Sequence, residues 1–109
     1  MSGANETAQN AEMTALRAKI DSLDAALVDL LAERQRCIEA AAEIKGRIGW
    51  PARIPPRVDQ VLARVAARAR ESRLDGELAR ALWSAIVDWS IAYEERLMRR
   101  SSNGKTDPA

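Results

Sequence analysis

One apolar seam constrains this chain more than any other feature. Leu16, Ile20, Leu23, Leu27 and Leu30 are followed by Cys37, Ala41, Ile44 and Ile48, in steps that alternate between four and three. That is the heptad repeat of a helix that lays one face along a neighbour. It predicts a first helix over residues 12–48. At 1.5 Å per residue such a helix is roughly 50–55 Å long, more than the diameter of a compact domain of this size. A helix of that length must pack along another chain or break.

The rest of the chain also reads as helix. Gly46, Gly49, Pro51, Pro55 and Pro56 punctuate a loop. Pro56 suits the first turn of a second helix over 56–72, with Val58, Val61, Leu62, Val65, Ala66 and Ala69 as its apolar face. Asp75 is a good N-cap for a third helix over 76–99. Its main stripe is Leu78, Leu82, Ala85, Ile86, Trp89, Tyr93 and Leu97, and a second stripe carries Trp83, Val87, Ser90 and Glu94. No strand pattern appears. Residues 1–11 and 101–109, rich in small polar side chains, read as loose tails around a helical domain at 12–100. The expected fold class is all-α, with three helices per chain.

The inventory of side chains excludes several chemistries. Among 109 residues there is no histidine and one cysteine, Cys37. No His-based triad, zinc cluster or internal disulfide can be built from these. There is no phosphate loop or dinucleotide fingerprint. The first ten residues lack an apolar signal core, and Leu82, Trp89 and Tyr93 lie in a stretch interrupted by Ser84, Asp88 and Ser90. A cytoplasmic location is expected, with no metal and no cofactor. Eight Lys and Arg fall between Lys45 and Arg73, but the formal net charge is only +1, which argues against a general polyanion binder.

Arg34 occupies a seam position that should be apolar. It either pairs with an acid such as Asp24 or Glu39, or it meets an anionic ligand. Lys45 follows it by about three full turns, so the two point almost the same way, roughly 16 Å apart along the axis. Their long side chains can converge on a ligand between them. Arg17 is roughly 25 Å from Arg34 and rotated by about 100°, out of reach on a straight helix but available across an antiparallel dimer. Arg57 opens the second helix, where backbone N–H groups favour an anion. Ser90 and Glu94 lie one turn apart in apolar company, either as a satisfied core pair or as ligand contacts.

Taken together these residues resemble the intertwined, all-helical chorismate mutases. The segments that carry the likeness are Leu16-Arg17-Ala18-Lys19-Ile20-Asp21, Leu23-Asp24, Leu30-Leu31-Ala32-Glu33-Arg34, Ile44-Lys45, Arg57 and Trp89-Ser90-Ile91-Ala92. The spacing of Arg17, Arg34, Lys45 and Arg57 matches the family's four cationic substrate ligands. The resemblance implies an interlocked homodimer with two sites, each taking Arg17 from one chain and Arg34, Lys45, Arg57, Ser90 and Glu94 from the other. It implies a pericyclic rearrangement of chorismate to prephenate, which needs no nucleophile, metal or general base. The protein would hold the compact reactive conformer and stabilise the charge that develops. Arg17, Arg57 and Arg34 would clamp carboxylates, while Lys45 and Glu94 would meet the ether oxygen. A carboxylate there would repel the growing negative charge, so Glu94 is expected to act in its protonated form.

Two departures bear on the substrate. Ile54 and Val58 stand where many members carry an Asp and a Glu that contact the substrate hydroxyl. Glu94 stands where many bacterial members carry Gln. The missing acids are shared with the isochorismate pyruvate lyase branch, which makes salicylate and pyruvate. That reaction is the nearest alternative, followed by mutation of 4-amino-4-deoxychorismate and then by a non-catalytic helical dimer.

Overall fold

The computed structural model describes residues 2–106, with side chains described for 5–102. It contains three helices, α1 (Ser2–Ile48), α2 (Pro55–Ser72) and α3 (Gly76–Thr106), and no strand among the described residues. The all-α expectation is met. The helices run further than the apolar periodicity predicts. Residues 2–11 and 101–106, expected as loose tails, are helical, while Met1 and residues 107–109 lie outside the described residues. Residues 2–11 mix three Ala, one Glu and one Gln with Ser, Gly, Thr and two Asn, and they continue α1 as one helix with its apolar-periodic part. None of the described helices is long and apolar enough to cross a membrane.

The chain divides into two compact units, Met1–Gln35 and Arg36–Ala109. In the first unit the seam faces solvent. Leu16, Ile20, Leu23, Leu27 and Leu30 are each between 46% and 60% exposed. Burying a leucine side chain is worth about 1.5–3 kcal/mol, so this stripe is a large unspent driving force.

The second unit contains the core. Ala52, Val87 and Ile91 are buried together, with Val58, Val61, Leu62 and Met98 packed against them. The backbones of α2 and α3 approach each other closely. Helix ends follow the local chemistry. Gly49 stops α1 in a left-handed conformation, φ 76°, and the Trp50 N–H donates back to the Lys45 carbonyl at 2.9 Å. Ile54 is extended, as the residue before a proline must be, and its carbonyl accepts from the N–H groups of Arg57 and Val58. Asp75 caps α3 as expected, accepting from the Leu78 N–H at 3.0 Å.

α2 ends less comfortably. Arg73 adopts φ 58°, ψ 34°, the left-handed region that glycine occupies without strain. The turn is satisfied by bonds from Leu74 N–H to Ala69 O and Arg73 N–H to Arg70 O. Arg73→Gly relieves a strain of about 1–2 kcal/mol and costs about 0.5–1 kcal/mol in chain entropy. The variant is expected to be more stable by about 0.5–1 kcal/mol in urea unfolding at fixed protein concentration. An unchanged or lower midpoint would show that Arg73 makes a compensating contact.

Candidate active site

Lys45 lies in the last turn of α1, where the Gly49 stop fixes the path of the chain that follows. Its ammonium is largely buried and donates to the Ala52 carbonyl at 2.8 Å. The same nitrogen lies 3.3 Å from Glu94 Oε2 and 3.1 Å from Oε1. Glu94 comes from α3 and is 3% exposed. Its Oε1 is buried and receives no hydrogen bond, although the ammonium is within ion-pair distance. The two observations are compatible: the contact is close in charge but poorly aligned. A buried carboxylate oxygen thus stands beside a lysine with its hydrogen-bonding capacity unspent.

The pair is a poor way to gain stability. Removing two charges from water costs several kcal/mol per ion, and an apolar pair of similar volume often does as well or better. Lys45 has three N–H donors. The Ala52 carbonyl and Glu94 Oε2 take two and fix the direction of the third. This arrangement can donate to an oxygen that gains negative charge, next to a carboxyl group that can do the same when protonated.

Ser90 lies one turn before Glu94 and is also 3% exposed. Its hydroxyl donates to the Ile86 carbonyl at 2.7 Å. Arg57 sits exposed in the first turn of α2, with Nη1 donating to Gln60 Oε1 at 2.6 Å. The exposed Arg53–Asp88 pair, at 3.8 Å, contributes little. In the other unit Arg17 is exposed and Arg34 is half-buried. Of the six residues expected from sequence, direct contact is made between Lys45 and Glu94, with Ser90 beside Glu94 on α3.

Val58, where a substrate-contacting acid was absent from the sequence, packs against the Ala52, Val87 and Ile91 cluster. Ala52, whose carbonyl accepts from Lys45, belongs to that cluster. Sequence reasoning missed that carbonyl, because nothing in a side-chain pattern marks a backbone acceptor. It also missed the hydrogen bond from Tyr93 to Glu39. A tyrosine in an apolar stripe was the available signal, since a buried phenol finds a partner.

Comparison with known proteins points the same way as the geometry. The sequence profile of the chorismate mutase type II family matches residues 16–95. A 4-amino-4-deoxychorismate mutase of Streptomyces venezuelae is 34% identical over 96 residues, covering 88% of this chain and 92% of that protein. A chorismate mutase of Methanocaldococcus jannaschii is 24% identical over 92 residues, 84% of this chain and 93% of that one. A T-protein of Enterobacter agglomerans is 49% identical over 53 residues, 49% of this chain but only 14% of its own length. This chain belongs to the chorismate mutase type II family.

Proposed function

We propose that the protein is a chorismate mutase that converts chorismate to prephenate. The observation that carries this reading is the buried Lys45–Glu94 pair, with its unsatisfied Oε1, in a chain of this family. As the substrate rearranges, its ether bond breaks and negative charge grows on the oxygen. Lys45 donates its remaining N–H to that oxygen. The interaction strengthens as the charge develops, so it lowers the barrier rather than merely binding substrate.

Glu94 donates to the same oxygen when protonated. Glu94→Gln keeps an N–H that can donate to the same oxygen and is expected to hold kcat within about tenfold of wild type, whereas Glu94→Ala removes the donor and is expected to lose about 10²-fold or more. Equal losses in the two variants would contradict this role.

The proposed assembly is a homodimer. It is supported by the exposed seam from Leu16 to Leu30, which is too apolar to leave in water. Each site would take Arg17 from one chain and Arg34, Lys45, Arg57, Ser90 and Glu94 from the other. Arg17, Arg34 and Arg57 would bind carboxylates through paired N–H donors. No cofactor or metal is required for the reaction. A cytoplasmic location is part of the same reading.

Two related substrates compete with chorismate. Apolar Ile54 and Val58 fit isochorismate cleavage as well. The Streptomyces relative brings in 4-amino-4-deoxychorismate, although Ile54 and Val58 offer no acid to face its amino group. The test supplies each of the three to purified protein and identifies the products. Prephenate formed at the highest kcat/KM supports the proposal. Salicylate and pyruvate from isochorismate, with little prephenate, would move the assignment to the lyase.

A further inference from the structure

We infer that Glu39 and Tyr93 are positioning residues for the Lys45–Glu94 pair: their hydrogen bond sets how the end of α1 lies against α3, and so where the Lys45 ammonium points. The catalytic part of this inference rests on the mutase reading.

The Tyr93 hydroxyl donates to Glu39 Oε2 at 2.5 Å, at the short end of the range for O–H···O bonds. Tyr93 and Glu94 are consecutive on α3. Glu39 and Lys45 are six residues apart on α1, roughly 9 Å along the axis. The same two helices are therefore joined twice, once by each pair. Glu39 and Lys45 point about 120° apart around α1, so Glu39 does not face the ligand that Lys45 would meet.

The phenol is itself held in place. Tyr93 stacks on Trp89 with ring centroids 4.8 Å apart and planes at 28°. The Arg96 guanidinium lies 5.4 Å from the centroid of the Tyr93 ring. Both neighbours come from adjacent turns of α3, so they fix the ring without help from α1.

An open groove borders the Tyr93–Glu39 bond, lined by Glu39, Ala42, Tyr93, Leu97 and Met98 among others. Ala42, between Glu39 and Lys45 on α1, is buried. The hydrogen bond adds a directional tie to that contact, since its strength falls steeply as the angle departs from linear. A displacement of about 1 Å in a reacting group can cost about a hundredfold in rate.

The test compares Tyr93→Phe, Glu39→Ala and Glu39→Gln with wild type, at a temperature where circular dichroism shows every variant folded. Two readouts are taken: kcat and KM on chorismate, and the side-chain ¹⁵N signal of the Lys45 ammonium in ligand-free protein. Tyr93→Phe and Glu39→Ala are expected to lower kcat about tenfold or more, with KM within about threefold, and to move the Lys45 signal. Glu39→Gln keeps an acceptor oxygen and is expected to hold both near wild type. A bond that matters only for folding would lower the melting temperature and move neither readout. An unmoved Lys45 signal, or an unchanged kcat in Tyr93→Phe and Glu39→Ala, overturns the inference. If wild-type protein makes no prephenate, the mutase reading fails, and the ammonium signal alone still decides whether the bond positions Lys45.

Discussion

Lys45→Ala is expected to lower kcat about 10²- to 10³-fold, the cost of removing one donor aimed at a developing oxyanion. The loss falls on kcat more than on KM, because the ether oxygen carries little charge in bound chorismate. The substitution also leaves Glu94, 3% exposed, without its cation. Glu94 is then a buried carboxyl group without its partner, so the variant is expected to be less stable than wild type. The loss of the Lys45 bond also frees the Ala52 carbonyl, and with it the loop between α1 and α2. Kinetics on chorismate and urea unfolding measure both effects. A Lys45→Ala protein with near-normal kcat would remove the basis of the mechanism.

Arg17→Ala is expected to cost about 10²- to 10³-fold in kcat/KM, through a lost paired contact to a substrate carboxylate. Arg17 is exposed in the single chain and contributes nothing evident to its fold. Its melting temperature should therefore match wild type, in contrast to Lys45→Ala. A solvent-facing arginine that merely decorates the surface would give a change within experimental error. The large effect follows from the proposed dimer, in which a second chain covers the exposed seam from Leu16 to Leu30 and brings Arg17 to a site.

The fold was readable because its signals are local and repeated. The four-and-three spacing of α1, the Gly49 stop, the prolines opening α2 and the Asp75 cap each act over a few residues. The helix ends at 2–11 and 101–106 were not readable from periodicity, since no apolar face marks them. The left-handed Arg73 that ends α2 leaves no mark in a sequence, because the conformation belongs to the backbone and not to the side chain.

Of the candidate site, the residue types were readable and the contacts less so. Lys45 was singled out by its register with Arg34, and Glu94 by its apolar company, and the two meet across two helices. The third partner of that pair is a backbone carbonyl, which any residue at position 52 would supply. Tyr93 was assigned to the apolar stripe and Glu39 considered as a partner for Arg34. Their bond depends on how α1 and α3 are placed, which follows from tertiary packing and not from either helix alone.

The most direct test of the shared site mixes two inactive proteins. Arg17→Ala and Lys45→Ala chains are unfolded together in equal amounts, refolded, and supplied with chorismate. Random pairing makes half the dimers mixed, and each mixed dimer holds one site with neither substitution. About a quarter of wild-type prephenate formation is therefore expected, from two variants that are nearly inactive alone. If mixing restores nothing although the chains demonstrably pair, Arg17 does not serve the site of the opposite chain, and the shared-site account is wrong.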